Sequence, residues 1–231
     1  MPRRKNSDTP KTNNSITVPI IKPLTRTQED VFKHYEAGQN LLLHGVAGTG
    51  KTFLAMYLAL KDVLNERLYQ RVVIVRSVVP TRDMGFLPGN QKEKQRVYEQ
   101  PYSAITTELF GRGDAYEILK TKAIVDFIST SFVRGVTFND AIIIVDECQN
   151  MTFHELDSVI TRIGKNCKVI FSGDYRQTDL TRDVEKNGLR QFMDVLGHMN
   201  EFQTVEFTEE DIVRSKLVKN YIISKLRKGL T

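Results

Sequence analysis

Four short apolar runs constrain this chain most strongly. "NLLLHG" (Asn40 to Gly45), "RVVIVRS" (Arg71 to Ser77), "AIIIVDE" (Ala141 to Glu147) and "KVIFSGD" (Lys168 to Asp174) are each almost continuously apolar and mostly β-branched or leucine. A strand with one wet face alternates apolar and polar positions. A run without alternation fits a strand covered on both faces, as inside a parallel sheet. Segments of helical character lie between the runs: Thr27 to Glu36, Lys51 to about Arg67, roughly Gln91 to Lys122, Thr152 to Ile163 and Val184 to Gly197. A short strand is expected near Phe127, another at "FQTVEF" (Phe202 to Phe207), and a basic helix ends the chain. This alternation predicts an α/β fold: a parallel sheet with helices on both faces, in a single core domain. A chain of 231 residues suits that size. Residues 1–18 are polar and carry Arg3, Arg4, Lys5 and Lys11, so a disordered basic arm is expected there and the folded domain over 19–231.

Open parallel sheets bind ligands at the carboxyl ends of their strands. The first run leads there into "GVAGTGKT" (Gly45, Val46, Ala47, Gly48, Thr49, Gly50, Lys51, Thr52), which opens the next helix. This is the G-x-x-x-x-G-K-[ST] pattern in the strand-to-helix setting it requires. Glycines let backbone N–H groups converge on phosphate oxygens, and the helix N-terminus adds partial positive charge. Lys51 is the candidate cation for the β- and γ-phosphates, and Thr52 the candidate hydroxyl ligand of Mg²⁺.

The third run ends in two acids. Asp146 stands where P-loop enzymes hold their metal, and Glu147, one residue on, is the candidate general base for an attacking water. "SGDYRQTD" (Ser172 to Asp179) follows the fourth run and brings Gln177 to the same edge as a candidate sensor of the γ-phosphate. Cys148 reads as a small packing residue, and Gln149 is the candidate link between nucleotide state and a bound partner.

Composition sets the surroundings. Two cysteines without metal-like spacing fit a reducing compartment, and no run is long enough to span a bilayer. A soluble cytoplasmic protein is expected. The net charge of +5 permits a polyanion partner without requiring one.

Together the loop, the D-E-x-Q box (Asp146 to Gln149) and the G-D-x-x-Q box (Gly173 to Gln177) resemble superfamily one helicases. "KPLTRTQ" (Lys22 to Gln28) is similar to their upstream Q motif, which makes Gln28 the candidate reader of adenine and ATP the expected nucleotide. The chain is more similar still to the PhoH family of phosphate-starvation-inducible ATP-binding proteins. The resemblance is carried by "GFLPG" (Gly85 to Gly89), "FVRGVTFNDAIIIVDECQN" (Phe132 to Asn150), "TRIG" (Thr161 to Gly164), "SGDYRQTDL" (Ser172 to Leu180), "NGL" (Asn187 to Leu189) and "EDIVRSKLV" (Glu210 to Val218). Ser77 departs from the proline that many cellular members carry there. The short chain resembles compact members carried by bacteriophages, for which the location would be the host cytoplasm.

The resemblance implies a RecA-like P-loop ATPase core, often assembled as a ring, with an RNA or DNA role. A second lobe would supply charge-neutralising arginines, and this length leaves no room for one. Arg82, Arg134, Arg162, Arg176 and Arg214 are candidates for that task in cis or in trans. A homo-oligomer, favoured as a hexameric ring, is therefore expected. Lys92, Lys94 and Arg96, with Lys216, Lys219, Lys225, Arg227 and Lys228, could follow a phosphate backbone. Two functions stay open: an ATP hydrolase coupled to RNA or single-stranded DNA, and a slow ATP-dependent assembly module acting on a protein. A small-molecule kinase is disfavoured by Glu147 and the G-D-x-x-Q box.

Overall fold

The apolar runs pair side by side in the computed structural model, which describes residues 16–78, 91–174 and 188–229. Its strands are β1 (Asn40–Gly45), β2 (Arg71–Arg76), β3 (Val125–Ser129), β4 (Ala141–Asp146), β5 (Cys167–Gly173) and β6 (Phe202–Phe207). They form one sheet in the order β3-β2-β4-β5-β1-β6, and every neighbouring pair is parallel. The helices are α1 (Arg26–Glu36), α2 (Lys51–Leu64), α3 (Gln91–Phe110), α4 (Ala115–Thr121), α5 (Phe153–Ile160), α6 (Gly188–Gly197) and α7 (Lys216–Arg227).

Alternate residues of each strand feed two separate cores. Leu41, Leu43, Val72, Ile74, Ile142, Ile144 and Ile170 pack with side chains of α1 to α4. Leu42, Val73, Val75, Ile143, Val145, Val169 and Phe171 pack with α5 and α6. Both faces of β1, β2, β4 and β5 are thus dry, which is why these strands show no polar alternation, whereas the edge strands β3 and β6 alternate. The expected RecA-like P-loop arrangement of a parallel sheet between two helical layers is the observed one. β5 lies between β1, which feeds the phosphate loop, and β4, which carries the acids.

The charged helical stretches expected over Gln91 to Lys122 are α3 and α4, separated where Gly111 takes a left-handed conformation (φ +66°) that stops α3. Two expected boundaries shift. α2 stops at Leu64 rather than near Arg67. The Asn65 side chain turns back to bond both the N–H and the C=O of Val18, at 2.9 Å each, and Arg67 adopts φ +55°. α5 ends at Ile160, and the chain after it returns to bridge Ile163 to Phe138. Its start follows the sequence: Thr152 and Glu155 form a reciprocal capping box. The arm expected over residues 1–18 falls up to residue 15 outside the described residues. Val18 is buried against the helical layer and belongs to the domain, so the folded part begins before residue 19.

Ile143→Ala, in the doubly covered centre of β4, should lower the unfolding free energy by about 2–5 kcal/mol. Val195→Ala, on the exposed side of α6 (51% exposed), should change it by less than about 0.5 kcal/mol. Urea denaturation with an unchanged slope checks both.

Candidate active site

The loop between β1 and α2 is held from below by β6. Val46 N–H donates to Phe207 O at 3.0 Å. A Cβ on Gly45 would lie 2.1 Å from that same oxygen, and its φ is +117°, so glycine is required where loop and strand touch. Gly50 precedes α2 and brings no side-chain cap, leaving the first N–H groups of a 14-residue helix available at the sheet edge. Lys51 curls back over the loop. Its Nζ donates to Gly45 O and Val46 O at 2.8 Å each, with only 9% of the residue exposed. Burial lowers the Lys51 pKa, while Asp174, Glu147 and Asp146 act to keep the charge. Thr49 Oγ1 closes the loop with a 2.9 Å bond to Val46 O.

Thr52, the second residue of α2, reaches across β5 to the end of β4. Its hydroxyl donates to Asp146 Oδ1 at 2.8 Å. The other carboxylate oxygen, Oδ2, accepts from the Tyr102 hydroxyl at 2.8 Å. Tyr102 comes from α3 and is wholly buried. Burial and the neighbouring Asp146 push its pKa well up, so it stays a donor. Arg76 ends β2 in register with Asp146. Its guanidinium bonds Tyr102 and lies 5.9 Å from the centre of the Tyr98 ring. Burial opposes its charge, but Tyr102, Asp146 and Glu147 outweigh that and hold its pKa above the ordinary value.

Glu147 leaves the strand in a left-handed conformation (φ 52°, ψ 42°), an uncommon backbone for glutamate. Burial raises its pKa, and the adjacent Asp146 raises it further, against Arg76 and a hydrogen bond from Gln149. Gln149 acts as a clip. Its Nε2 donates to Glu147 Oε2, and its Oε1 accepts from Asp174 N–H at 3.1 Å. Gly173 permits this contact, since a Cβ there would sit 2.6 Å from both Gln149 Oε1 and Cys148 Sγ. Cys148 is fully buried and its thiol pKa is pushed up by burial, in keeping with a packing role.

The remaining sequence candidates divide clearly. Gln28 is buried beside the loop, with Oε1 accepting from Leu24 N–H (2.9 Å) and Nε2 donating to Thr49 O (3.1 Å). Arg214 lies on the loop as well. Val213 N–H donates to Gly48 O at 3.1 Å, and a Cβ on Gly48 would meet Arg214 Cγ at 3.1 Å. Asp211 fastens this segment, accepting from Thr208, Thr27 and Thr25. Arg134 pairs instead with His154 at 2.8 Å beside α5, and Arg162 follows α5, with its C=O bonded to Phe138 N–H ahead of β4. Gln177, Arg82 and Arg176 lie outside the described residues. Sequence reasoning missed Arg76 and Tyr102. Arg76 carried a signal, a cation ending a buried run at the ligand edge. Tyr102 carried none, being 44 positions from its partner in a charged helix.

Among the described residues no group of three or more His, Cys, Asp or Glu could cage a metal. The paired Thr52 hydroxyl and Asp146 carboxylate fit Mg²⁺ nonetheless, because that ion takes one or two protein oxygens and fills its octahedron with waters and phosphate oxygens.

A raised carboxyl pKa means that the folded protein holds the proton more tightly than the unfolded chain does. Ionised Glu147 therefore costs stability above its raised pKa, and the cost fades as pH falls towards 4.5. Glu147→Gln should melt higher than wild type near neutral pH, with the difference shrinking on acidification, as thermal melts across pH will record.

Residues 20–225 match the family model described as PhoH-like protein. The PhoH-like protein of Mycobacterium leprae (strain TN) is 32% identical over 208 residues, covering 87% of this chain and 57% of that protein. Protein PhoH of Escherichia coli (strain K12) is 32% identical over 203 residues, covering 87% of this chain and 56% of that one. The chain thus spans little more than half the length of these relatives. Among solved structures, the large terminase from a thermophilic bacteriophage is similar at a TM-score of 0.51 and 12% identity, over 87% of this chain and 50% of the terminase, a likeness of fold alone.

Proposed function

The chain belongs to the PhoH family, and on that premise we propose that it hydrolyses ATP with Mg²⁺, coupled to RNA or single-stranded DNA. The observation that carries this reading is the Thr52–Asp146 hydrogen bond, which joins the phosphate loop to the acid-bearing strand at 2.8 Å. Thr52 and Asp146 would hold Mg²⁺ there, and the ion would supply positive charge to the β- and γ-phosphates. Lys51 exchanges its two carbonyl acceptors for phosphate oxygens, which are stronger partners for an ammonium. Loop N–H groups from Ala47 to Thr52, at the start of α2, donate to the remaining oxygens.

Glu147 takes the proton of the attacking water. Its raised pKa makes it a better base than an ordinary glutamate, and the Gln149 clip sets its direction. Gln28 keeps one N–H and one lone pair beyond its two internal bonds, and these are the groups that would read adenine. Arg214, resting on Gly48, supplies positive charge to the γ-phosphate in cis, with Gln177 sensing the same group. The assembly is a homo-oligomer, a hexameric ring, in the cytoplasm.

The nucleic-acid arm of the proposal is supported by α7, whose Lys216, Lys219, Lys225 and Arg227 flank an exposed Tyr221 (67%) without an intervening acid. The exposed Leu217 (80%) on the same helix favours the alternative, an assembly module that binds a protein and turns over slowly.

Steady-state hydrolysis decides between them. Lys51→Ala should abolish nucleotide binding. Glu147→Gln should bind ATP and lose about 10²–10⁴-fold in turnover. Single-stranded RNA or DNA should raise the wild-type rate, less so as salt increases. A rate that ignores nucleic acid, with no salt-sensitive binding, would favour the protein partner. Sedimentation of active enzyme should show a multimer; full activity in a monomer at every concentration would remove the ring.

A further inference from the structure

Asp146 is held by more than the phosphate loop needs. The terminal torsion of an aspartate is soft, so an untethered carboxylate turns freely and offers either oxygen to a ligand. Here Oδ2 is tied to the hydroxyl of Tyr102, leaving Oδ1 towards Thr52. The direction of that tether is set from behind. Arginine has no acceptor, so Tyr102 must accept from Arg76, and its single hydroxyl proton is left for Asp146. Tyr98, four positions earlier on the same face of α3, stacks on Arg76 and keeps it there. The Tyr102 ring is fixed in turn by Phe127, with centroids 6.0 Å apart.

We propose that Tyr102, directed by Arg76, is a positioning residue that orients the Asp146 carboxylate for Mg²⁺. This rests on the reading of the site as a Mg²⁺–nucleotide centre. The ordered chain Arg76 to Tyr102 to Asp146 brings α3 into the metal site as a third wall, beside the phosphate loop and β4. It also places a cation within the field of both acids, offsetting their repulsion before metal and nucleotide arrive.

A purely structural tyrosine would affect melting but not metal dependence. The test is binding of a fluorescent ADP analogue by the full chain, in EDTA and in stepped Mg²⁺, with Mn²⁺ binding followed by electron paramagnetic resonance. Tyr102→Phe should bind the analogue in EDTA as wild type does. The Mg²⁺ concentration for half-maximal tightening should rise about tenfold, the size of effect seen when a partner of a metal ligand is lost. Mn²⁺ affinity in the presence of ADP should weaken in step. Arg76→Gln should shift both in the same direction, and decides the matter if Tyr102→Phe fails to fold by near-ultraviolet circular dichroism. Wild-type metal dependence in a folded variant overturns the positioning role while leaving the nucleotide site standing. No analogue binding by wild type itself overturns both.

Discussion

The hydrogen bond between Thr52 and Asp146 is the joint on which this molecule turns. It links the second residue of α2 to the last residue of β4, 94 positions away, across the intervening β5. Nothing local in the chain brings these groups together. They meet because β1 and β4 are both buried on two faces, so their carboxyl ends emerge at one edge with fixed register. The apolar runs thus do more than stabilise the sheet: they aim a lysine, a hydroxyl and two carboxylates at one small volume.

That volume concentrates charge in poorly hydrated surroundings. Lys51, Asp146, Glu147 and Arg76 sit within a few side chains of each other, and burial shifts the pKa values of Lys51 and Glu147 against their charged forms. Glu147 adds a left-handed backbone that most residues avoid. Such a site is destabilising by construction and persists because the two dry cores on either side over-determine it. The internal partners of Lys51 and Asp146 are weaker than a phosphate and a metal would be, which poises the site for its ligand.

Much of this was legible in the chain. Continuous apolar runs gave β1 with its observed ends and β2, β4 and β5 to within a residue, because burial on both faces leaves no other pattern; the edge strand β6, with only Val205 and Phe207 buried, was legible as "FQTVEF". The phosphate loop was legible because glycine spacing reflects a backbone need: Gly45 has Phe207 O where a side chain would go. Helix ends were less so, since they depend on distant partners such as Val18 for Asn65. Arg214 was one arginine among five in sequence; among the three that are described, the docking of its segment on Gly48 singles it out. For Gln149 the sequence suggested a link to a bound partner, and only the return of β5 beside it shows the clip between Glu147 and Asp174. Tyr102 was invisible, because its partner lies 44 positions away and is set by tertiary packing.

Amide hydrogen exchange of the whole chain, with and without Mg²⁺ and ADP, bears most directly on the claim that these groups form one nucleotide site. The account predicts that ligand slows exchange together at Val46 to Thr52 and at Glu147 to Gln149, since both flank the Thr52–Asp146 joint. Protection of the loop alone, or of segments at the opposite edge of the sheet, would contradict it.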